Sequence, residues 1–386
     1  MRILYVNEKC GYFGGVEQNI ADSAEGLSAR GHECFLAFQE VTGRQVSEYQ
    51  ALFKECVPIH PFLHNLERIK PDVIYIHKAQ VGLLQDGLEG VRSVRMIHDH
   101  DLCCPRRHKY YAWNGRVCRH KADWRCYLDM AFLERVPGSR QLGLVSIGDK
   151  MLEMRRNRQL SLLLVASAWM REELIQNGFA AERIKTLPYA VRMPLQAMAP
   201  IPKENRILYV GQLIRGKGVD LLLKALAHLR CDYELTIAGT GNAQHSLEQL
   251  SRKLGLTGKV RFAGWVGPQD IGECYAKAKV SVVPSRWPEP FGMVGLEAMH
   301  YGRPVVGFSV GGIPDWLEHG VTGLLVPEQD VRAFANALEQ LLEDPTLCSK
   351  LGEQAQERVR TKFSFENYLD RLEALLSGDA QAAGRG

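Results

Sequence analysis

The feature that most limits what this chain can become is a strand, a glycine-rich loop and a helical pattern that occur in that order twice. The first copy opens the chain, with the apolar, β-prone run Met1-Arg2-Ile3-Leu4-Tyr5-Val6, the loop Asn7 to Gly15, and helical spacing from Val16 to Arg30. The second begins at Arg206 to Val210, passes through Gly211-Gln212-Leu213-Ile214-Arg215-Gly216-Lys217-Gly218 and enters a helical pattern from Val219 to Leu229. A strand that feeds a helix through a glycine turn is the first crossover of a doubly wound parallel sheet, whose ligand crevice lies outside the carboxyl ends of the strands. Two such openings in 386 residues predict two α/β domains, because a chain of this length is long for a single core. Neither loop matches G-x-G-x-x-G, nor does Gly239-Thr240-Gly241, so a nicotinamide-binding oxidoreductase is disfavoured.

Composition narrows the class further. With 46% hydrophobic and 24% charged residues the chain reads as a soluble globular protein. No window reaches the ~18 uninterrupted apolar residues of a membrane span, and Leu160 to Trp169, the nearest approach, is too short. The first strand carries no signal-peptide pattern, so the expected location is cytoplasmic. Ten cysteines without a secretory signal point to thiols kept reduced or bound to metal. A formal net charge of +4 is too small to argue for nucleic acid.

The chemistry concentrates between Val282 and Gly312. The β-branched run Val280, Val282, Val283 ends at Pro284, Pro288 and Pro290 hold the next residues out of a helix, and helical spacing resumes near Phe291. The first amides of that helix, Phe291 to Val294, have no partners within it, and with the positive end of the helix dipole they form an anion site. Glu289 sits at its mouth and Glu297 about one turn inside, each able to accept bonds from sugar hydroxyls flanking a bound diphosphate. Taken alone, the same two carboxylates would also suit a dipole-stabilising residue and a solvated helix residue.

They do not stand alone. Glu289-Pro290-Phe291-Gly292 followed by Glu297, then Gly302-Arg303-Pro304-Val305-Val306 and Gly311-Gly312-Ile313-Pro314, resembles the donor-site signature of family 4 of the retaining glycosyltransferases. Gly211 to Gly218 resembles that family's G-R-L-x-x-x-K-G loop. The resemblance implies the GT-B fold, α/β, with two doubly wound Rossmann-like domains facing a central cleft. Domain limits of 1–195 and 196–362 follow, with a proline-rich hinge at Pro194 to Glu204. A last helix over 363–378 would pack back on the first domain, and the tail 379–386 reads as disordered.

The resemblance also implies roles. Glu297 would hold ribose, Glu289 the transferred sugar, Lys217 and Arg215 the diphosphate, and His98, at a strand end, a hydroxyl of the donor sugar from across the cleft. Fixed cations and helix amides would stabilise charge growing on the departing phosphate, so no metal or other cofactor is expected. Gly14, Gly15, Gly211, Gly239, Phe291, Gly292, Met293 and Val294 would lie along the donor, with backbone at Trp265 and Val266 against the nucleobase. Glu17, Arg106, Arg107 and Trp113 are candidates on the acceptor side. For Glu17, Arg215, His98 and Ser167 the residues alone fit structural roles as well, in a packed turn, a solvated basic turn, a core or a helix cap.

Two departures stand out. Gln212 occupies a position where many relatives have arginine, and Leu187 to Arg192 replaces their Pro-Asn-Gly-Val-Asp. The segment Leu102 to Met130 is the most individual part of the chain, with Arg106, Arg107, Lys109, Arg116, Arg119, Lys121 and Arg125 interleaved with Tyr110, Tyr111, Trp113 and Trp124. That mixture suits an anionic lipid surface or a diphosphate-linked acceptor, and no RNA-binding motif accompanies it. Cys103, Cys104, Cys118 and Cys126 form a weak candidate zinc cluster, since paired C-x-x-C knuckles are missing. Asp99-His100-Asp101 imitates a D-x-D metal motif, but three residues match by chance easily, and activity is expected to survive chelator.

The expected function is therefore transfer of a sugar from a UDP- or GDP-sugar to a glycan or lipid-linked glycan, peripheral at the inner face of a membrane, within cell-surface polysaccharide or glycolipid synthesis. A GT-B sugar-nucleotide epimerase and a non-catalytic nucleotide-sugar-binding assembly partner are the alternatives.

Overall fold

A computed structural model describes residues 1–84, 87–111, 114–135, 142–192, 200–267 and 269–379. The chain divides into two compact units, the first made of 1–107, 120–188 and 366–386, the second of 108–119 and 189–365.

The first unit is built on β1 (Arg2–Cys10), β2 (Glu33–Val41), β3 (Glu55–Pro58), β4 (Val73–Ile76) and β5 (Arg92–Ile97), to which a small antiparallel hairpin, β6 (Leu133–Arg135) and β7 (Leu142–Leu144), is appended. With β8 (Leu162–Val165) and β9 (Ile184–Thr186) the main sheet has seven parallel strands in the order β3-β2-β1-β4-β5-β8-β9. The second unit carries β10 (Arg206–Val210), β11 (Glu234–Ala238), β12 (Val260–Gly264), β13 (Val280–Val283), β14 (Val305–Phe308) and β15 (Gly323–Val326) in the order β12-β11-β10-β13-β14-β15. Strand order reverses beside β1 in one sheet and beside β10 in the other, and a crevice opens at each reversal beyond the carboxyl ends.

The sequence dictates this because the central strands are apolar throughout. Val73-Ile74-Tyr75-Ile76, Val280-Ser281-Val282-Val283 and Val305-Val306-Gly307-Phe308 are buried at every position. A strand covered on both faces reads as a continuous apolar run, which is the signature of a parallel sheet under helices. Helix starts are equally local: Ser167, Asp330 and Asp344 each accept the amide three residues on, at 3.2, 2.9 and 2.9 Å.

Two segments leave their sequence neighbours. From Glu366 onward the helix Phe365–Ser377 belongs to the first unit. There Arg30 meets Glu366, Asp370 and Glu373 at 2.8, 2.8 and 3.1 Å, and Asn19 donates to the Tyr368 hydroxyl at 3.2 Å. In the opposite sense, 108–119 folds with the second unit although the first surrounds it in sequence. A boundary at residue 195 therefore misses an excursion that tertiary packing, not composition, decides. Asp315 ends the short 3₁₀ turn Ile313–Asp315. The tail, apart from residue 379, lies outside the described residues.

Candidate functional site

In the second unit the run after β13 folds back on itself. Gly292 is left-handed, with φ 97°, and caps the helix Met293–His300. The helix thus starts two residues later than the sequence pattern suggests. Met293 and Val294 supply first-turn amides, while Phe291, 1% exposed, is an anchor: its ring packs edge-on against Tyr189 and Phe363, and its carbonyl accepts from Trp316 Nε1 at 2.6 Å. Trp316 is fully buried, and a Cβ on Gly295 would lie 2.0 Å from its ring, so the indole sets how close the helix comes.

Glu289 is buried beside this helix start. Its carboxylate accepts from Lys217 Nζ at 2.8 and 3.0 Å and from the Ser285 hydroxyl. Its backbone is clamped as well: Gly312 N–H donates to the Glu289 carbonyl at 2.7 Å, and a Cβ on Gly311, at φ +60°, would come within 2.4 Å of Glu289 N and O. Gly311-Gly312 is needed because another backbone occupies the space a side chain would take.

Lys217 ends the 3₁₀ turn Arg215–Lys217 that follows β10. Its ammonium stands 5.1 Å from the Trp287 ring centroid, a cation–π contact that fixes the charge near the Glu289 carboxylate. Gly218 closes the turn at φ +69°, and a Cβ there would sit 1.9 Å from the Pro284 carbonyl. Gly211 and Gly239 have a related role, since a Cβ on Gly239 would lie 1.9 Å from the Gly211 carbonyl. These glycines let the loops after β10, β11 and β13 touch each other, which brings Lys217 to Glu289.

Glu297, deeper in the helix, accepts from the Tyr275 hydroxyl at 3.1 Å. Burial raises its carboxyl above the usual range, and the tyrosine bond offsets part of that. Tyr275 stacks on Tyr301, ring centroids 5.0 Å apart. Beyond β12, Trp265 is 72% exposed while Val266 is half-buried. Arg303, expected only as part of a signature, is fully buried and donates to the Ala278 carbonyl at 3.2 Å.

The crevice of the first unit is a cavity of about 290 Å³ whose lining includes His77, Lys78, Arg95, His98, Asp99 and Glu153. His98 and His77 stack and share a hydrogen bond of 2.8 Å between Nε2 and Nδ1. Burial first, then Lys78 and Arg95, push His98 down to about 3, and burial also holds His77 well below its ordinary value, so both rings are neutral. Asp99 and Asp101 both engage the Lys78 ammonium, whose pKa they raise against burial. The D-x-D look-alike is thus a lysine clamp.

Glu17 turns back: its carboxylate accepts from Gly14 N–H at 3.0 Å and from Asn7 Nδ2 at 3.3 Å. That caps the helix Gly15–Ala29 and commits the side chain to the fold. Gly14 and Gly15 are exposed, with open space around Gly15. Arg106 is bound to Asp129 within the first unit, and Arg107 lies 3.8 Å from Asp101 with most of its side chain exposed. Trp113 lies outside the described residues. Cys103, Cys104, Cys118 and Cys126 do not gather: among the described residues only Cys231, Glu339 and Glu343 bring three metal-ligating atoms within 4.8 Å of one another, and nothing else there points to an ion. The zinc expectation is corrected: no three of these four sulfurs come within 4.8 Å of one another.

Sequence reasoning missed Ser285, Trp287 and Tyr275. The first two lie inside the run that drew attention, where their polar and aromatic character next to Glu289 was a usable signal. Tyr275 had none, being brought to Glu297 by packing of the helix Ile271–Lys277.

Comparison with known proteins shows what the chain is similar to. Residues 196–358 match the family model described as glycosyl transferases group 1. An uncharacterized glycosyltransferase of Methanocaldococcus jannaschii is 37% identical over 166 residues, 42% of this chain and 42% of that protein. Alpha-D-kanosaminyltransferase of Streptomyces kanamyceticus is 30% identical over 239 residues, 58% of this chain and 62% of that protein. The chain thus spans about half the length of the curated relatives it matches. Among solved structures, HepE of Anabaena in complex with UDP aligns over 98% of this chain and 100% of its own, with TM-score 0.76 and 22% identity, a likeness of GT-B fold.

Proposed function

We propose, from the premise that residues 196–358 form a glycosyl transferases group 1 domain, that the protein is a retaining, metal-independent hexosyltransferase. It moves a sugar from a UDP- or GDP-sugar to a hydroxyl of a glycan or lipid-linked glycan. The observation that carries this reading is the Lys217–Glu289 pair beside the amides of Met293 and Val294: one cation, one carboxylate and free N–H groups converge where a sugar diphosphate needs all three.

In the reaction the bond from the anomeric carbon to the phosphate oxygen breaks, and the acceptor oxygen bonds that carbon on the same face. The acceptor proton passes to the departing phosphate, so no protein nucleophile is required. Lys217, Arg215 and the helix amides stabilise the growing phosphate charge. Glu289 takes a sugar hydroxyl, and Glu297, oriented by Tyr275, takes those of ribose. The bound UDP of the structurally similar HepE supports a uridine donor.

Purified protein incubated with UDP- and GDP-sugars is expected to release nucleoside diphosphate only when a glycan acceptor is present. Free sugar or an epimer without acceptor would identify an epimerase, and nucleotide binding without turnover would identify an assembly partner. Crystals soaked with UDP or GDP should show density beside Glu289 and Lys217; density elsewhere overturns the reading.

No helix among the described residues is long and apolar enough to cross a membrane. Peripheral attachment to an anionic membrane is the proposed alternative, supported by Trp124, Leu128 and Met130, 67%, 72% and 55% exposed, beside Lys121 and Arg125. Sedimentation with phosphatidylglycerol vesicles, lost on Trp124→Ala/Leu128→Ala, tests it.

A further inference from the structure

The described residues of the excursion, 108–111 and 114–119, pair as the arms of a hairpin, with a Tyr110–Val117 bridge and bonds from Cys118 N–H to the Lys109 carbonyl at 2.7 Å and from Tyr111 N–H to the Arg116 carbonyl at 2.9 Å. It does not simply fill surface. A Cβ built on Gly216, the centre of the Arg215–Lys217 turn, would stand 3.4 Å from the Tyr110 ring on one side and 3.4 Å from Trp287 Cγ on the other. Gly216 thus has two aromatic rings within van der Waals contact of where a Cβ would stand, and the second of them carries the Lys217 ammonium.

The turn is gripped from beneath as well. Arg286 and Trp287 N–H both donate to the Gly216 carbonyl, at 2.9 and 3.1 Å. The Arg286 guanidinium donates to the Arg215 carbonyl at 2.9 Å and to Asp220 at 2.8 Å. Gly115 of the hairpin faces that guanidinium, in a left-handed conformation with φ +72°. Two polar ties hold the hairpin rim: Gln329 Nε2 donates to the Gly115 carbonyl at 3.0 Å, and Arg119 meets Glu328 at 2.7 Å.

We infer that the hairpin 108–119 is part of the phosphate site, and that Tyr110 is a positioning residue that acts through Gly216 and Trp287 to hold the Arg215–Lys217 turn in place for a nucleoside diphosphate. The inference rests on reading the Lys217 crevice as the diphosphate site. Its physical basis is preorganisation: a glycine-centred turn is free in φ and ψ unless packed, and a cation helps a diphosphate most when its position is fixed before binding. The ring lies beneath the turn; a direct ligand role for the Tyr110 hydroxyl is not needed.

The test compares UDP and GDP with UMP and GMP by calorimetric titration of the full chain, since only the diphosphates reach the Arg215–Lys217 turn with a second phosphate. Tyr110→Ala is expected to weaken diphosphate binding about tenfold and monophosphate binding less than about threefold, while Tyr110→Phe, which keeps the ring, stays within about twofold of the parent. Arg119→Ala/Gln329→Ala, which loosens only the rim, should weaken the diphosphate selectively by a smaller factor, and gives a result even where Tyr110→Ala does not fold. Equal losses for mono- and diphosphates, or unchanged binding in Tyr110→Ala while Lys217→Ala binds poorly, overturn the inference and leave the site reading intact. Unchanged binding in Lys217→Ala, or a parent protein that takes up neither nucleotide, overturns the site reading and the inference with it.

Discussion

The two sheet-end crevices have the same topological origin and opposite chemistry. In the first unit the charges meet opposite charges: Lys78 is held by Asp99 and Asp101, and Arg95 by Asn157 and Glu153, although Arg95 Nε is buried without a hydrogen-bond partner. The two histidines there are neutral and bonded to each other. In the second unit the key cation, Lys217, has one carboxylate and one aromatic face, beside a helix start that offers amides. The glycines differ in the same way. Gly15 faces open space, whereas Gly218, Gly239 and Gly311 each face another strand of backbone within 2.5 Å of where a Cβ would be. A crevice whose charges are paired and whose histidines are neutral, with His77 Nε2 and Arg95 Nε still unbonded, suits hydroxyl-bearing ligands; a tightly folded crevice with one fixed cation suits a diphosphate.

The largest effect that would sharpen this contrast lies in the second unit. Glu289→Ala and Lys217→Ala are each expected to lower transfer on the order of 10²–10³-fold in a donor turnover assay, the range for removing one preorganised electrostatic contact. Intact transfer in both would dissolve the contrast.

Backbone comes next. Gly218→Ala places a methyl against the Pro284 carbonyl at positive φ and should cost about 1–3 kcal/mol in urea unfolding. Gly15→Ala, at the first position of a helix with free space around it, should be neutral or stabilising by up to about 1 kcal/mol. Equal losses would mean that the two glycine loops do the same job.

A smaller and opposite pair of effects is expected at Glu297. A carboxyl raised by burial contributes stability at low pH that is lost as pH rises through its raised value, because the unfolded chain ionises first. Glu297→Gln should therefore raise the melting temperature at neutral pH while weakening nucleotide binding. Loss of both would assign Glu297 to packing.

The least effect concerns His98. Its depressed pKa contributes stability that is present above 6.5 and lost as pH falls toward about 3, since the unfolded chain takes up the proton first. His98→Gln should flatten the melting-temperature profile between those limits; an unchanged slope would show that the histidine pair is not the acid-sensitive element of the first unit.

Much of the architecture was legible without coordinates. The strands Arg206 to Val210 and Val280 to Val283 fall where the apolar runs put them, and the helix from Ala168 begins at the Ser167 cap. The resemblance drew attention to Glu289 and Lys217 separately, one for the sugar and one for the diphosphate; that they meet is a finding of the structure. What was not legible depends on contacts distant in sequence: Tyr275 reaching Glu297, and Glu17 spent on a cap rather than on a ligand.

By itself the sequence determined two doubly wound halves, because alternation of buried strands with glycine loops and helices is a local pattern that each segment carries in its own side chains. It could not determine that 108–119 folds with the second unit, or that Tyr110 packs on Gly216. Such outcomes turn on which surface a segment buries most apolar area against and finds hydrogen-bond partners on, and that surface exists only once the rest of the chain has folded.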